Sequence, residues 1–352
     1  MSLEDRLREI GGEIRPSDEV AVARARERYL RLTKPPGSLG YLEEIGVRLS
    51  GMAGEVPPLI PENPAVVICA GDHGVLERGV SSWPKEVTAA MVRNFCAGGA
   101  AANVLARSVG ARVSVLDVGV AADLEWHPLL RTAKRQAGTD DLSRGAAMSR
   151  EDAASAVMSG AGLAEELIES GVDLLVAGDI GIGNTTPAAA LISAFTGHSP
   201  EEVTGRGTGI DDETFELKVG VVEEALSLHD PDPNDPLGTL AALGGLEHAA
   251  ITGIVLVGAI YGVPVLLDGV VSNSAALVAF SLASACTGYM IAGHLSAEPG
   301  AKAALRHLGL EPVLDLGMRL GEGTGGLLAV PVIQAAARVL GEMATFEEAG
   351  IG

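Results

Sequence analysis

The chain has 352 residues and a formal net charge of −21, from 25 lysines and arginines against 46 aspartates and glutamates. This balance argues against nucleic acid or an anionic membrane surface as the main partner, because no cationic excess is present to neutralise phosphates. Hydrophobic residues make up 47% and charged residues 20% of the chain, enough to fill a core, so disorder is excluded.

Both ends of the chain are predicted to be helical. Apolar periodicity indicates helices over residues 5–10, 21–32 and 42–52, with a break at Lys34-Pro-Pro-Gly37. The same periodicity returns near the C-terminus over residues 330–340.

Between these ends, short runs of Val, Ile and Leu end in glycine or aspartate. They predict strands over residues 65–70, 112–117, 172–177 and 263–268, with a weaker candidate over 289–292. Continuous apolar strands that alternate with Ala-rich helices are typical of a parallel sheet covered on both faces. The predicted fold class is therefore α/β, with a Rossmann-like parallel sheet covered by helices.

Two uncharged stretches, residues 249–267 and 269–293, have about the length of a membrane-spanning helix. Glycines and Pro264 interrupt the first stretch, and polar residues such as Ser272 and Asn273 interrupt the second. We interpret them as a buried helix, a strand and another buried helix. Residues 1–10 hold five charges and no signal-peptide pattern, so we predict a cytoplasmic protein without a membrane partner.

Polar or glycine-rich loops follow the predicted strands, and ligands of open α/β sheets bind at the carboxyl ends of strands. Two loops, residues 181–186 and 205–209, have the glycine content that lets backbone N–H groups surround an anion. Pro187 marks a helix start directly after the first loop, which suits a phosphate, and Lys218 can supply a point charge. Plain tight turns remain the alternative for both loops.

The candidates for acid–base chemistry are Glu322, Asp72, His73, Asp179 and Asp268. Glycines flank Glu322, and a carboxylate in a glycine-lined crevice can have a raised pKa and act as a base near neutral pH. Asp72 and His73 can also be a structural pair, which the absence of H-x-x-x-H spacing favours over a metal site.

Several motifs of other enzyme classes are missing or misplaced. Residues 321–326 match G-x-G-x-x-G, but too little chain follows for a dinucleotide-binding unit. The sequence has no P-loop and no G-x-S-x-G elbow, and three separated cysteines argue against a disulfide framework or a cysteine-based zinc site. We therefore predict neither a metal nor a cofactor.

Six strings occur in an order that resembles the nicotinate-nucleotide:dimethylbenzimidazole phosphoribosyltransferase family of cobalamin synthesis. They are Lys34-Pro-Pro-Gly-Ser-Leu-Gly40, Gly71-Asp-His-Gly74, Pro84-Lys-Glu-Val-Thr88, Gly183-Asn-Thr-Thr-Pro-Ala-Ala-Ala190, His294-Leu-Ser-Ala-Glu298 and Met318-Arg-Leu-Gly-Glu-Gly323. The resemblance implies a homodimer, with a large α/β domain over residues 61–329 and a small helical domain from 1–60 and 330–352.

The resemblance also implies roles for individual residues. Glu322 is expected to be the catalytic base, with Asp179 as the second catalytic residue. The expected substrate-binding residues are Gly181, Gly183, Asn184, Thr185, Gly207, Lys218, Asp268, Ser296, Trp83 and Met91. The implied reaction transfers 5-phosphoribosyl from nicotinate mononucleotide to 5,6-dimethylbenzimidazole.

Two departures from the family pattern bear on this interpretation. Asp179 stands where the family often has glutamate, and Trp83 and Met91 stand where some relatives carry Ser and Gln. The apolar side chains of Trp83 and Met91 leave the identity of the acceptor base open, so adenine or a phenol is an alternative to dimethylbenzimidazole. A nucleotide-binding subunit without catalysis is the alternative from another class, and the presence of Glu322 argues against it.

Overall fold

The computed structural model describes residues 2–351. Its helices are α1 (Leu3–Glu13), α2 (Glu19–Arg31), α3 (Tyr41–Ala53), α4 (Glu86–Ala97), α5 (Ala101–Val109), α6 (Arg150–Glu169), α7 (Thr185–Thr196), α8 (Pro200–Val203), α9 (Asp212–His229), α10 (Pro236–Leu243), α11 (Leu246–Tyr261), α12 (Val270–Leu282), α13 (Pro299–Leu308) and α14 (Thr324–Glu342). Its strands are β1 (Pro64–Gly71), β2 (Arg112–Gly119), β3 (Leu130–Thr132), β4 (Leu174–Ile180), β5 (Val265–Leu267) and β6 (Met290–Ala292).

The strands form one six-stranded sheet in the order β3-β2-β1-β4-β5-β6, and every pair in it is parallel. Helices cover the sheet, so the predicted α/β class with a Rossmann-like parallel sheet is confirmed. The chain order reverses between β1 and β4, which are buried along their length apart from the half-buried Ile180. Ligands of open α/β sheets bind beside such a reversal.

Strand β3, at one edge of the sheet, is absent from the sequence prediction. Its three residues pair with Val115, Leu116 and Asp117 at the sheet edge, and its side chains are half-buried or exposed. An apolar run is the signature of a strand buried on both faces, so a short edge strand gives no such run.

The uncharged stretches fold as predicted, into α11, β5 and α12, and most of their side chains are buried. Among residues 2–351, one helix, α14, is long and apolar enough to cross a membrane. In its most apolar window 56% of the residues are buried inside the protein, and a core helix of a globular fold passes the same test.

Helices α6 and α11 are in backbone contact through two glycines. A Cβ atom added to Gly160 would lie 1.9 Å from the carbonyl oxygen of Ala250. A Cβ atom added to Gly253 would lie 1.9 Å from the carbonyl oxygen of Val157. Side chains larger than hydrogen at these two positions would separate the helices.

The two ends of the chain meet. Leu32 forms an antiparallel bridge with Thr345, and the hydroxyl of Tyr29 donates to the carbonyl oxygen of Ala336. A small apolar cluster there combines Ala25, Tyr29, Leu32 and Val47 with Leu340. The division into residues 1–60 with 330–352 and 61–329 stays a prediction, and its boundary at 330 falls within α14.

Candidate active site

A cavity of about 100 Å³ lies at the carboxyl end of β4. Its lining includes Asp179, Gly181, Gly183, Asn184, Thr185, Gly207 and Lys218, all of which the sequence analysis proposed. Arg206, Arg319 and Leu320 also line it. The fold thus brings two glycine-rich loops, the start of α7 and residues 319–320 to one place, whereas Glu322 is not among the lining residues.

The loop after β4 is shaped by close backbone contacts. A Cβ atom on Gly181 would lie 2.3 Å from the carbonyl oxygen of Gly71, and Gly183 has a φ of +92°. The N–H of Ile182 donates to the hydroxyl of Thr88 on α4 at 3.1 Å. This loop leads into the N-terminus of α7, where the helix dipole favours an anion.

Lys218 of α9 joins the two loops. Its Nζ atom donates to Oγ1 of Thr185 at 2.7 Å and to the carbonyl oxygen of Gly205 at 2.9 Å. Burial lowers the pKa of Lys218 to about 8, although the charge of Glu298 raises it. The ammonium group therefore lies at the cavity, and its pKa is close to neutral pH.

The peptide groups around Gly207 are held by two charged residues that the sequence analysis did not single out. The N–H of Gly207 donates to Oε1 of Glu298 at 2.9 Å, and the guanidinium of Arg319 donates to its carbonyl oxygen. Glu298 and Arg319 both lie within strings that carry the family resemblance, and this position was the sequence signal that could have identified them. Their partner is a backbone group, which no side-chain motif reveals.

Glu322 lies two residues before α14 and is 4% exposed. Its N–H donates to the carbonyl oxygen of Asp179 at 3.2 Å, and its Oε2 accepts from the N–H of Ala102 at 3.3 Å. Burial raises the pKa of Glu322; the Ala102 hydrogen bond lowers it, and the charge of Asp268 adds to the rise. A carboxylate with a raised pKa is suited to accept a proton near neutral pH.

Asp179 is the second-last residue of β4 and lies beside Glu322. Its Oδ2 accepts from the side-chain amide of Asn184 at 2.8 Å, and a Cβ atom on Gly321 would lie 3.3 Å from its carboxylate. Burial raises the pKa of Asp179 well above its ordinary value, and the charge of Asp268 adds to the effect. Asp179 therefore contacts both the loop after β4 and the residues around Glu322.

Four predicted substrate-binding residues are not part of this cavity's lining. The carboxylate of Asp268 is fully buried and bound to backbone N–H groups, and the hydroxyl of Ser296 accepts from the N–H of Glu298 at 3.3 Å. Trp83 is 52% exposed, and Met91 is half-buried against the core. Contacts of these four residues with substrate stay predictions.

Asp72 and His73 form structural contacts. Oδ2 of Asp72 accepts from the N–H of Ala121 at 2.7 Å, and Nε2 of His73 lies 2.8 Å from Oε1 of Glu247. Nδ1 of His248 lies 2.9 Å from the same oxygen atom. The structure supports the structural interpretation of this pair, and the sequence analysis missed Glu247.

A family model described as "Phosphoribosyltransferase" matches residues 14–351 of the chain. The nicotinate-nucleotide–dimethylbenzimidazole phosphoribosyltransferase of Salinispora tropica is 55% identical, over 96% of this chain and 97% of the relative. The enzyme of the same name from Deinococcus radiodurans is 50% identical, over 98% of this chain and 95% of the relative. The chain belongs to this phosphoribosyltransferase family.

Solved structures agree with that assignment. The nicotinate-nucleotide–dimethylbenzimidazole phosphoribosyltransferase of Thermus thermophilus superposes with a TM-score of 0.91 at 47% identity. The match covers 95% of this chain and 99% of the other. The family predicted from the six sequence strings is therefore confirmed, and with it the prediction that the chain is a phosphoribosyltransferase enzyme.

Proposed function

We propose that this protein transfers 5-phosphoribosyl from nicotinate mononucleotide to 5,6-dimethylbenzimidazole. The products are nicotinate and α-ribazole 5′-phosphate, which is used in the assembly of the lower ligand of cobalamin. The observation that carries the proposal is the buried Glu322, whose N–H donates to the carbonyl oxygen of Asp179, a residue that lines a glycine-rich cavity with a lysine. The relatives' names supply the two substrates.

The cavity suits the phosphate of the donor. The N-terminus of α7 supplies the positive end of its helix dipole, and Lys218 of α9 supplies a positive charge. A charge-assisted hydrogen bond of this kind is about twice as strong as a neutral one. Fixing the phosphate places C1′ of the ribose against the acceptor nitrogen, and such positioning supplies much of the rate of a two-substrate reaction.

Glu322 acts on the acceptor. Its carboxylate takes the N–H proton of the benzimidazole, so that the opposite ring nitrogen becomes the stronger nucleophile. That nitrogen forms a bond to C1′ while the bond from C1′ to nicotinate breaks. The electron pair passes to the pyridinium nitrogen, and the ring leaves in its neutral form. Attack from the face opposite nicotinate converts the β-linkage to α, and the reaction consumes no cofactor.

The preferred acceptor rests on the apolar side chains Trp83 and Met91. If they contact the base, two methyl groups are favoured by about 0.8 kcal/mol for each carbon buried. Adenine is expected to be poorer, because its amine would lose water without gaining a partner. Competition between dimethylbenzimidazole, benzimidazole, adenine and a phenol measures this preference. Preferred use of adenine or a phenol would contradict the proposed acceptor but not the proposed phosphoribosyl transfer.

The function is tested with purified protein, nicotinate mononucleotide and that panel of bases, with products identified by mass spectrometry. Glu322→Gln keeps the shape of the side chain but cannot accept the proton, so we expect turnover to fall by at least about 10²-fold. Glu216→Gln, on the exposed face of α9, is the matched control and should keep full turnover. Near-normal turnover of Glu322→Gln would contradict the role of Glu322.

We also propose a homodimer in the cytoplasm. The dimer is implied by the sequence resemblance, and apolar side chains exposed near the cavity, such as Leu320, support it. The cytoplasmic location rests on the sequence analysis and on substrates that are small phosphorylated metabolites.

A further inference from the structure

Asp268 follows β5 and places its carboxylate at the start of α14. Its Oδ2 accepts from the N–H of Gly323 at 3.0 Å. Its Oδ1 accepts from the N–H of Gly325 at 2.6 Å and from the N–H of Gly326 at 3.2 Å. The side chain is fully buried, so these backbone groups are its main environment.

These contacts satisfy the N–H groups that the first turn of a helix leaves free. An acidic side chain there is also favoured by the helix dipole. The usual capping residue directly precedes the helix, but the residue at that position, Gly323, has no side chain to do so. Asp268, which lies directly after β5 and 55 positions before Gly323 in the chain, supplies the missing cap.

Glu322 adjoins this cap in an unusual conformation. Its φ is 62°, in the left-handed region that residues other than glycine rarely adopt. Such a conformation persists where the surroundings enforce it. On one side the N–H of Glu322 donates to the carbonyl oxygen of Asp179, and on the other the next peptide N–H donates to Asp268.

We propose that Asp268 is a positioning residue that holds Glu322 in its left-handed conformation and so aims its carboxylate at the acceptor base. The proposal rests on the proposed function, in which Glu322 is the base. Asp268 acts through the backbone at Gly323 and does not touch substrate. This role differs from the substrate contact that the sequence resemblance implied for it.

The charge of Asp268 has a second effect on Glu322. Burial raises the pKa of Glu322, and the negative charge of Asp268 adds to this. The other titratable groups that face Asp268 are Asp179 on β4, whose pKa it also raises, and His294 after β6, whose Nε2 lies 3.5 Å away. Replacing Asp268 by a neutral residue therefore lowers the pKa of the base.

The test is Asp268→Asn, which keeps the shape and removes the charge and one acceptor. We expect kcat to fall by about 10²-fold, the scale of a misplacement of about 1 Å. KM for nicotinate mononucleotide should stay near normal, because the cavity at Lys218 is separate. The rise of kcat with pH follows deprotonation of Glu322, so this acid limb should move to lower pH.

Asp117→Asn is the matched control. Asp117 is also a fully buried carboxylate at the end of a strand, and it accepts from the N–H groups of Gly119 and Val120 at 3.1 and 2.8 Å. Each substitution removes a buried acceptor, so both variants should have a lower melting temperature. Only Asp268→Asn should also move the acid limb, and Asp117→Asn should leave it unchanged. An unchanged acid limb and kcat in a folded Asp268→Asn would overturn the proposal.

A double variant separates this proposal from the proposed function. If Asp268 acts through Glu322, adding Asp268→Asn to Glu322→Gln should cost no further turnover. Full activity of Glu322→Gln alone would refute the base itself, whereas additive losses would refute only the action through Glu322. If Asp268→Asn does not fold, Ser272→Ala removes the acceptor of the Asp268 N–H at 2.7 Å and loosens Asp268 without removing its charge. This variant should lower kcat and leave the acid limb and KM for nicotinate mononucleotide near normal, and an unchanged kcat would count against the proposal.

Discussion

At the scale of single residues, burial acts in opposite directions on the two ionisable groups that the proposed reaction needs. It raises the pKa of the Glu322 carboxyl group and lowers the pKa of the Lys218 ammonium group to about 8. Both changes follow from the free energy needed to place a charge in a poorly solvated site. They bring both groups nearer to neutral pH, where one accepts a proton and the other holds an anion.

The pKa of Lys218 predicts how donor use depends on pH. Lys218 is charged below about pH 8 and neutral above it, so kcat/KM for nicotinate mononucleotide should fall as pH rises through this value. Nicotinate riboside lacks the phosphate and should show no such decline. Lys218→Ala should lower kcat/KM for nicotinate mononucleotide and leave kcat/KM for nicotinate riboside nearly unchanged. Equal losses for both donors would assign Lys218 to the fold and not to phosphate binding.

The conformation of Glu322 predicts a conflict between stability and activity. Glycine adopts a positive φ without the cost of about 1 kcal/mol or more that other residues incur. Glu322→Gly should therefore keep or slightly raise the free energy of unfolding in urea while abolishing turnover. Asp230→Gly is the control, since Asp230 has a φ of 40° at the end of α9 and should gain stability without losing activity. A marked loss of stability in Glu322→Gly would contradict this account.

At the scale of elements, helix ends and helix contacts position the site. The start of α7 faces the cavity, and the start of α14 is fixed by Asp268 from β5. Elsewhere in the fold, α6 and α11 touch through Gly160 and Gly253. Glycine in a helix interior is intrinsically unfavourable, so its presence at these contacts reflects packing.

Three glycine substitutions test that packing. Gly160→Ala and Gly253→Ala should each lower the free energy of unfolding by about 1–3 kcal/mol, because the added methyl group overlaps a backbone carbonyl. Gly162→Ala is the matched control on α6, where a Cβ atom meets nothing within 4 Å. It should raise stability by up to about 1 kcal/mol through helix propensity. Similar effects at all three positions, measured by urea unfolding, would contradict a contact-specific cost.

At the scale of the whole molecule, apolar side chains are exposed beside the cavity. Leu320, which lines it, is 58% exposed, Leu316 is 61% exposed, and Trp83, two residues after the lining residue Ser81, is 52% exposed. Exposed apolar side chains grouped at one place are typical of a surface that another molecule covers. A second copy of the chain is the partner that the sequence resemblance implies.

The homodimer predicts a molar mass of twice the 35.9 kDa of one chain. Size-exclusion chromatography with light scattering measures this mass directly. It should stay constant over a dilution series if the interface is of the stable, obligate kind. A mass of one chain at all concentrations would refute the dimer and leave the exposed leucines to contact substrate or solvent alone.

The sequence by itself determined the α/β class, because strands buried on both faces of a sheet consist of uninterrupted runs of apolar residues. It also determined the family, through strings such as Met318-Arg-Leu-Gly-Glu-Gly323, and it named residues of the cavity such as Gly181 and Lys218. These features are local: each is carried by neighbouring residues, and a local pattern is what a sequence displays directly.

Only the tertiary structure decided what Asp268, Glu298 and Glu247 do. Asp268 and Glu298 bind backbone N–H groups 55 and 91 positions away, and Glu247 joins two buried histidines, one of which is brought from β1 by the fold. Backbone donors are the same in every residue type, so no sequence pattern marks the partner. Strand β3 escaped prediction for a related reason, since an edge strand is defined by hydrogen bonds to its neighbour and not by an apolar run of its own.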